Sequence, residues 1–198
     1  VGDDIDDINI GDRVDCAGSQ GSFHAEQIKI SRNLAVKIPS NVSFEDSATI
    51  SLGAISLQGV RRLNPTIGES VTVIGLGVLG QITIQILKAC GCKVIAIDLD
   101  ENRLALAKEL GADKVLNPAN DDDISKIKLM TDGYGVDAVI ITASSTSDEV
   151  ISSAFNMCRK KAKVILVGDV GLNLKRSDFY AKELDFLISS SYGPGRYD

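Results

Sequence analysis

Val71-Thr-Val-Ile-Gly-Leu-Gly-Val-Leu-Gly80 decides the fold of this 198-residue chain. Its first four residues form a β-branched, apolar run of the kind that makes a buried strand. Gly75, Gly77 and Gly80 stand in a G-x-G-x-x-G array, and an amphipathic stretch opens directly behind them. Such an array is weak alone. Here it sits between a strand and a helix, and the next strand, Lys93-Val-Ile-Ala-Ile-Asp98, ends in an acid. Each glycine has its own task. Gly75 lets the chain turn tightly off the strand, Gly77 has no Cβ to obstruct a pyrophosphate, and Gly80 lets the helix pack closely on the sheet. The unpaired N–H groups at the helix start then face the phosphates, and the helix dipole favours their charge. Asp98 can accept hydrogen bonds from the adenosine ribose hydroxyls and repels a 2′-phosphate, so the expected cofactor is NAD.

Outward from this unit, strand and helix signals alternate, which predicts a parallel sheet covered on both faces. The helix after the glycines is expected to bury Leu79, Ile82, Ile86 and Cys90, and the next, near Glu101–Leu110, to stop at Gly111. Strands are expected at Lys114–Leu116, Val136–Ile141, Ala162–Val167 and Phe186–Ser190. Asp121-Asp-Asp123 falls at a helix start, where negative charge suits the dipole, with a catalytic carboxylate cluster as the alternative reading. Thr146 with Glu149 is expected to cap the helix running through Val150, Ala154 and Cys158. Six strands in this alternation predict an α/β fold, a doubly wound Rossmann sheet of order 3-2-1-4-5-6.

Before the glycine unit the signals are weaker. Asp3-Asp-Ile-Asp-Asp7 is read as a solvated loop, Gly11-Asp-Arg-Val14 as the start of a strand, and Ala25–Ile30 as another by its alternation. Gly18–Ser22 between them is loop material. Ser43-Phe-Glu-Asp46 has a capping-box pattern and opens a helical region toward Arg62, with Gly53 as its expected break. Hydrophobic residues make up 44% of the chain and charged residues 24%, with a net charge of −6. That balance gives no footprint for nucleic acid, and no apolar run reaches the roughly 20 residues a bilayer requires. The chain begins at Val1 and is read as a piece of a longer polypeptide. The four cysteines, Cys16, Cys90, Cys92 and Cys158, lack paired metal-ligand spacing, and only one histidine, His24, accompanies them. Reduced thiols, a cytoplasmic setting and no bound metal are the expectation.

Several runs resemble the medium-chain dehydrogenase/reductase superfamily, the alcohol-dehydrogenase-like enzymes. They are Gly11-Asp-Arg-Val14, His24-Ala-Glu26, Lys37-Ile-Pro39, Ala54 through Gly59, and Leu104-Ala-Leu-Ala-Lys-Glu-Leu-Gly-Ala-Asp113. The closing Ser191-Tyr-Gly-Pro-Gly-Arg-Tyr-Asp198 is similar to the bi-domain oxidoreductases, in which a Gfo/Idh/MocA-like half follows. The resemblance implies that residues 1–42 are the tail of a GroES-like catalytic domain and 43–198 the dinucleotide-binding domain. It implies a pyrophosphate lined by Gly75, Gly77, Val78, Leu79 and Gly80, a ribose held by Asp98 with Leu99 by the adenine, and Arg103 either near that ribose or in solvent. Thr142, Ala143 and Ser144 would line the crevice at the fourth strand's end. Val167, Gly168 and Asp169 would flank the nicotinamide, while Ser190 and Tyr192 either approach its carboxamide or serve the edge strand.

One departure bears on mechanism. Zinc-dependent members of that superfamily carry a metal cysteine near the positions of Thr49, Ile50 and Ser51, and this chain has no cysteine between Cys16 and Cys90. A zinc-free site is therefore expected. His24 is not nominated as an acid or base, because the sequence offers it no partner. The leading reading is the NAD(H)-binding part of a zinc-independent oxidoreductase acting on a small molecule, by family analogy a sugar or nucleotide sugar. The alternatives are a non-catalytic NAD(H)-binding regulatory or scaffold module, and an NADPH-dependent quinone- or enoyl-reductase-like enzyme. The family commonly pairs through its last strand, so a homodimer through Phe186–Ser190 is expected.

Overall fold

Buried on both faces, a parallel strand must be apolar throughout, and the computed structural model places its central strands on such runs. Residues 1–18, 21 and 24–194 are described. Most of the 18–22 loop, Phe23 and the closing 195–198 lie outside them. In chain order the elements are β1 (Val14–Cys16), β2 (Ala35–Lys37), α1 (Phe44–Ser47), α2 (Ile50–Leu63), β3 (Ser70–Ile74), α3 (Val78–Ala89), β4 (Lys93–Ile97), α4 (Glu101–Glu109) and β5 (Lys114–Leu116). There follow α5 (Asp123–Met130), β6 (Val136–Ile141), β7 (Ser144–Ser145), α6 (Glu149–Met157), β8 (Cys158–Leu166), β9 (Asp169–Val170), α7 (Arg176–Phe179) and β10 (Asp185–Ile188).

The main sheet runs β10-β8-β6-β3-β4-β5, every neighbouring pair parallel. Numbered among themselves, its strands have the order 3-2-1-4-5-6. Residues alternate between two cores. Val71, Val73, Ala138 and Ile140 face a cluster with Val60 and Leu63 of α2, Ile84 and Leu87 of α3 and Leu104 of α4. Ile95, Val139, Ile141 and Val164 face the other, with Ile127 of α5 and Ile151 and Phe155 of α6. Phe155 meets Phe179 and Phe186 at ring separations of 5.3 and 5.5 Å. Asp137 ties the sheet's lower end together, accepting from Ser70 N at 2.7 Å and Arg159 Nε at 2.6 Å.

Four expectations change. Ala25–Ile30 forms no strand; residues 25–29 are exposed bends and coil with no partner to pair with. Gly53 lies inside a continuous α2, and the chain instead breaks between α1 and α2 at Ala48-Thr49. In α3 the buried face is Gly80, Gln81, Thr83, Ile84 and Leu87, one residue round from the expected stripe, which is only half-buried. The helix after β6 starts at Glu149 with Asp148 as its cap position, and the Ser147 hydroxyl, not Thr146, accepts from Glu149 N. That helix ends at Met157, where Cys158 turns extended and opens β8.

Ser43 caps α1 as its pattern requires, accepting from Asp46 N at 3.0 Å. β1 and β2 form a separate antiparallel hairpin. No helix among the described residues is long and apolar enough to cross a membrane.

Candidate functional site

A parallel sheet gathers the carboxyl ends of its strands on one edge, and the connections leaving that edge build the site. β3 ends at Ile74, and Gly75 turns the chain with φ +90°, a region that L side chains rarely enter. A Cβ added there would also lie 2.5 Å from the Ala143 Cα. Gly80 is closed to a side chain for another reason: its Cβ would collide with the Gly75 carbonyl oxygen, so the helix rests directly on the turn. Gly77 is different. It is exposed at the N-cap of α3, no side chain caps the helix, and nothing lies within 4 Å of where its Cβ would be. The first N–H groups of α3 therefore open onto free space, a fitting cradle for an anionic group.

Both neighbouring strands hold this turn. From β4, Asp98 accepts a hydrogen bond from Leu76 N at 2.6 Å through one oxygen and from Asp100 N at 2.9 Å through the other. Its side chain is only 10% exposed, so the carboxylate is fixed where it stands. From β6, the Thr142 hydroxyl donates to the Gly75 carbonyl at 2.5 Å. Gln81 staples the arrangement to the next helix by donating to the carbonyls of Leu76 and Arg103. Arg103 itself is 55% exposed, with its guanidinium 3.8 Å from Asp98 and 4.0 Å from Asp100.

A cleft of about 1000 Å³ opens beside the turn. Of the residues expected from sequence, Gly75, Gly77, Asp98, Leu99, Arg103, Thr142, Ala143 and Ser144 line it. Val78 and Leu79 belong to the helix start and Gly80 to its packing on the turn. Val167, Gly168 and Asp169 stand one layer away, across Ala143. Val167 lies against Gly59, Gly168 is pressed on the Ala143 carbonyl, and Asp169 pairs with Ser144 in the β7–β9 ribbon. Ser190 is exposed and Tyr192 half-buried beyond β10.

The sequence alone does not assemble the far wall, and gives Asp123 and Glu149 only as parts of helix starts or, for the acidic triplet, a carboxylate cluster. That wall consists of Pro118 and Ala119 after β5, Asp123 at the start of α5, and Ser147, Glu149 and Ser153 around α6. Within the acidic triplet, Asp122 caps α5 by accepting from Ser125 N, and Asp121 pairs with Lys126. Asp123 instead faces the cleft, and burial pushes its carboxyl above the usual carboxylate range. What joins these residues into one wall is positional: each follows the carboxyl end of a strand.

The donor set for a metal ion is poor. No group of three or more His, Cys, Asp and Glu side chains within reach of one ion exists among the described residues. Cys92 and Cys158 are buried, and burial pushes the Cys158 thiol up to about 12. Ser51 has its hydroxyl 3.5 Å from the Asp15 carboxylate. His24 is exposed.

Residues 78–198 match the family described as "Zinc-binding dehydrogenase". The chain is 38% identical over 146 residues to an alcohol dehydrogenase of Geobacillus stearothermophilus, covering 73% of this chain and 42% of that one. It is 32% identical over 151 residues to L-idonate 5-dehydrogenase of Vitis vinifera, covering 73% and 40%. The chain thus spans about two fifths of the length of the curated relatives it matches. Among solved structures, 2R,3R-butanediol dehydrogenase of Bacillus subtilis superposes with a TM-score of 0.77 at 25% identity, covering 96% of this chain and 61% of that one.

Proposed function

This chain belongs to the zinc-binding dehydrogenase family, within the medium-chain dehydrogenase/reductase superfamily, and from that premise we propose that it is the NAD(H)-binding part of an oxidoreductase working without catalytic zinc. The observation that carries the cofactor reading is Asp98. It is pinned by two backbone N–H groups at the mouth of the cleft, and a carboxylate keeps further lone pairs for the ribose hydroxyls. Gly75, Gly77 and the first N–H groups of α3 hold the pyrophosphate, as the open space over Gly77 allows. A dinucleotide held by these residues would supply a nicotinamide ring as hydride acceptor or donor for an alcohol–carbonyl interconversion.

Arg103 favours the NADPH-dependent alternative, because a guanidinium 3.8 Å from Asp98 offsets part of its charge. Two carboxylates share that cation, however, which leaves the net local charge negative. Calorimetric titration with NADH and NADPH decides between them. At least tenfold tighter NADH binding is expected, roughly what a like-charge contact costs. Because Asp98 also braces the turn, Asp98→Ser is expected to weaken both ligands while drawing their ratio toward one. Tighter NADPH binding, or a ratio unmoved by the substitution, would overturn the reading.

The zinc-free site rests on Thr49, Ile50 and Ser51 offering no thiolate; one equivalent of zinc in active enzyme would refute it. A sugar or nucleotide-sugar substrate is supported by the relative named for L-idonate. Residues 1–42 then correspond to the tail of a GroES-like catalytic domain, in a cytoplasmic setting that suits four cysteines outside any disulfide. Pairing of two copies through β10 is supported by Ile188, 51% exposed on the sheet's outer strand. Sedimentation of an Ile188→Lys variant as a monomer is the expected result.

A further inference from the structure

Three neighbouring strands set a ruler along the cleft. β3, β4 and β5 are consecutive and parallel in the sheet, so their carboxyl ends stand side by side. Gly75 to Gly77 follow the first, Asp98 and Leu99 the second, Pro118 and Ala119 the third. Adjacent strands lie about 4.8 Å apart, which puts the third position about 10 Å from the glycine turn. Asn117, at the end of β5, donates to the Leu99 carbonyl at 3.2 Å and closes the second position onto the third. A dinucleotide with its pyrophosphate at the turn and its ribose at Asp98 therefore carries its base on to Leu99, Pro118 and Ala119. These three give it aliphatic surface and no side-chain hydrogen bond.

Asp123 is the polar group at that end. One carboxylate oxygen accepts from Ile124 N at 2.8 Å, and no side chain among the described residues donates to the carboxylate. Asp121 and Asp122 beside it are both engaged, and no cation among the described residues pairs with Asp123. It is half-buried; of the other carboxylates lining the cleft, Asp98 is engaged by two backbone N–H groups, and Asp100 and Glu149 are exposed. Burial also holds its carboxyl above the usual range.

We infer that Asp123 selects adenine as the base of the bound dinucleotide by accepting a hydrogen bond from its exocyclic amino group. This rests on the dinucleotide reading of the same cleft. Hypoxanthine carries a carbonyl oxygen in place of that amino group, and an oxygen facing a carboxylate repels it. The base distinguishes two ligands otherwise identical at the pyrophosphate, both riboses and the nicotinamide.

Calorimetric titration of the chain with NADH and with its hypoxanthine counterpart tests this without any catalytic readout. NADH is expected to bind at least tenfold tighter, roughly the value of one hydrogen bond to a charged group. Asp123→Asn, which can both donate and accept, is expected to bring the two constants within about threefold of each other, mainly by tightening the hypoxanthine ligand. Equal affinities in the unsubstituted chain overturn the role of Asp123 and leave the dinucleotide site standing. A preference that persists in Asp123→Asn also overturns it and assigns the selection to another group. Binding of neither ligand removes the dinucleotide reading and this inference with it.

Discussion

The sheet and the β1–β2 hairpin are built from the same residue types and end in opposite states. In β3, β4 and β6, eleven of sixteen positions are apolar and fully or almost fully buried: Val71, Val73, Val94, Ile95, Ala96, Ile97, Val136, Ala138, Val139, Ile140 and Ile141. The hairpin has two three-residue strands with no buried position, and Val36 stands 51% exposed. Ion pairs clip its surroundings, Arg32 to Asp7 and Lys37 to Asp12, all at exposed or half-exposed sites. The sheet is stabilised by helices on both faces, while the hairpin leans on one side and leaves apolar surface uncovered. Stability in this chain therefore lives in residues 50–188, and the hairpin is a passenger on it.

The sharpest way to break that comparison is Gly80→Val. The new side chain has to displace the Gly75 carbonyl, and with it the turn that Asp98 and Thr142 hold. A loss of at least about 3 kcal/mol in urea unfolding is expected, with dinucleotide binding lost as well. A variant that keeps wild-type stability would mean that α3 does not rest on the turn.

Next in size is a matched pair of truncations. Phe155 is 1% exposed and meets two other rings, so Phe155→Ala is expected to cost about 3–5 kcal/mol. Val36→Ala in the hairpin is expected to cost less than about 0.5 kcal/mol. Equal costs would show that the hairpin folds as one unit with the sheet.

What could be read from the chain follows the same division. Lys114–Leu116 and Val136–Ile141 have their observed ends because a strand buried on both faces is an apolar run bounded by turns. The Asp98 carboxylate and the glycine turn were equally legible, since local geometry demands those residue types. Ala25–Ile30 alternates as a strand does, yet a strand needs a partner, and no local pattern states whether one exists. The α3 face was misread because apolar size marked Leu79, Ile82 and Ile86, whereas close packing wanted the small Gly80 and Thr83 against the turn and sheet. Pro118 and Ala119 escaped, and Asp123 was noticed without its place in the cleft, for a third reason. They meet Gly77 only through the strand order, which brings together segments forty residues apart.

The smallest effect separates the regions by pH. Asp113 is partly desolvated, which raises its pKa, but the Lys88 ammonium and Val94 N–H outweigh this and hold it below its ordinary value of 3.8. A carboxyl depressed in the folded state stabilises fully above its unfolded value, and that contribution is lost as pH falls through the folded one. At 44% exposure solvent screens most of it, so less than about 1 kcal/mol is expected. Urea midpoints followed from pH 7 down to pH 3 should therefore show a shallow acid limb that Asp113→Asn flattens. Asp7 is also depressed, by its hydrogen bond to Arg32, but it is exposed and attached to the hairpin. If the hairpin is a passenger, Asp7→Asn leaves the limb unchanged, and a limb that flattens with Asp7→Asn instead would make the hairpin part of the cooperative fold.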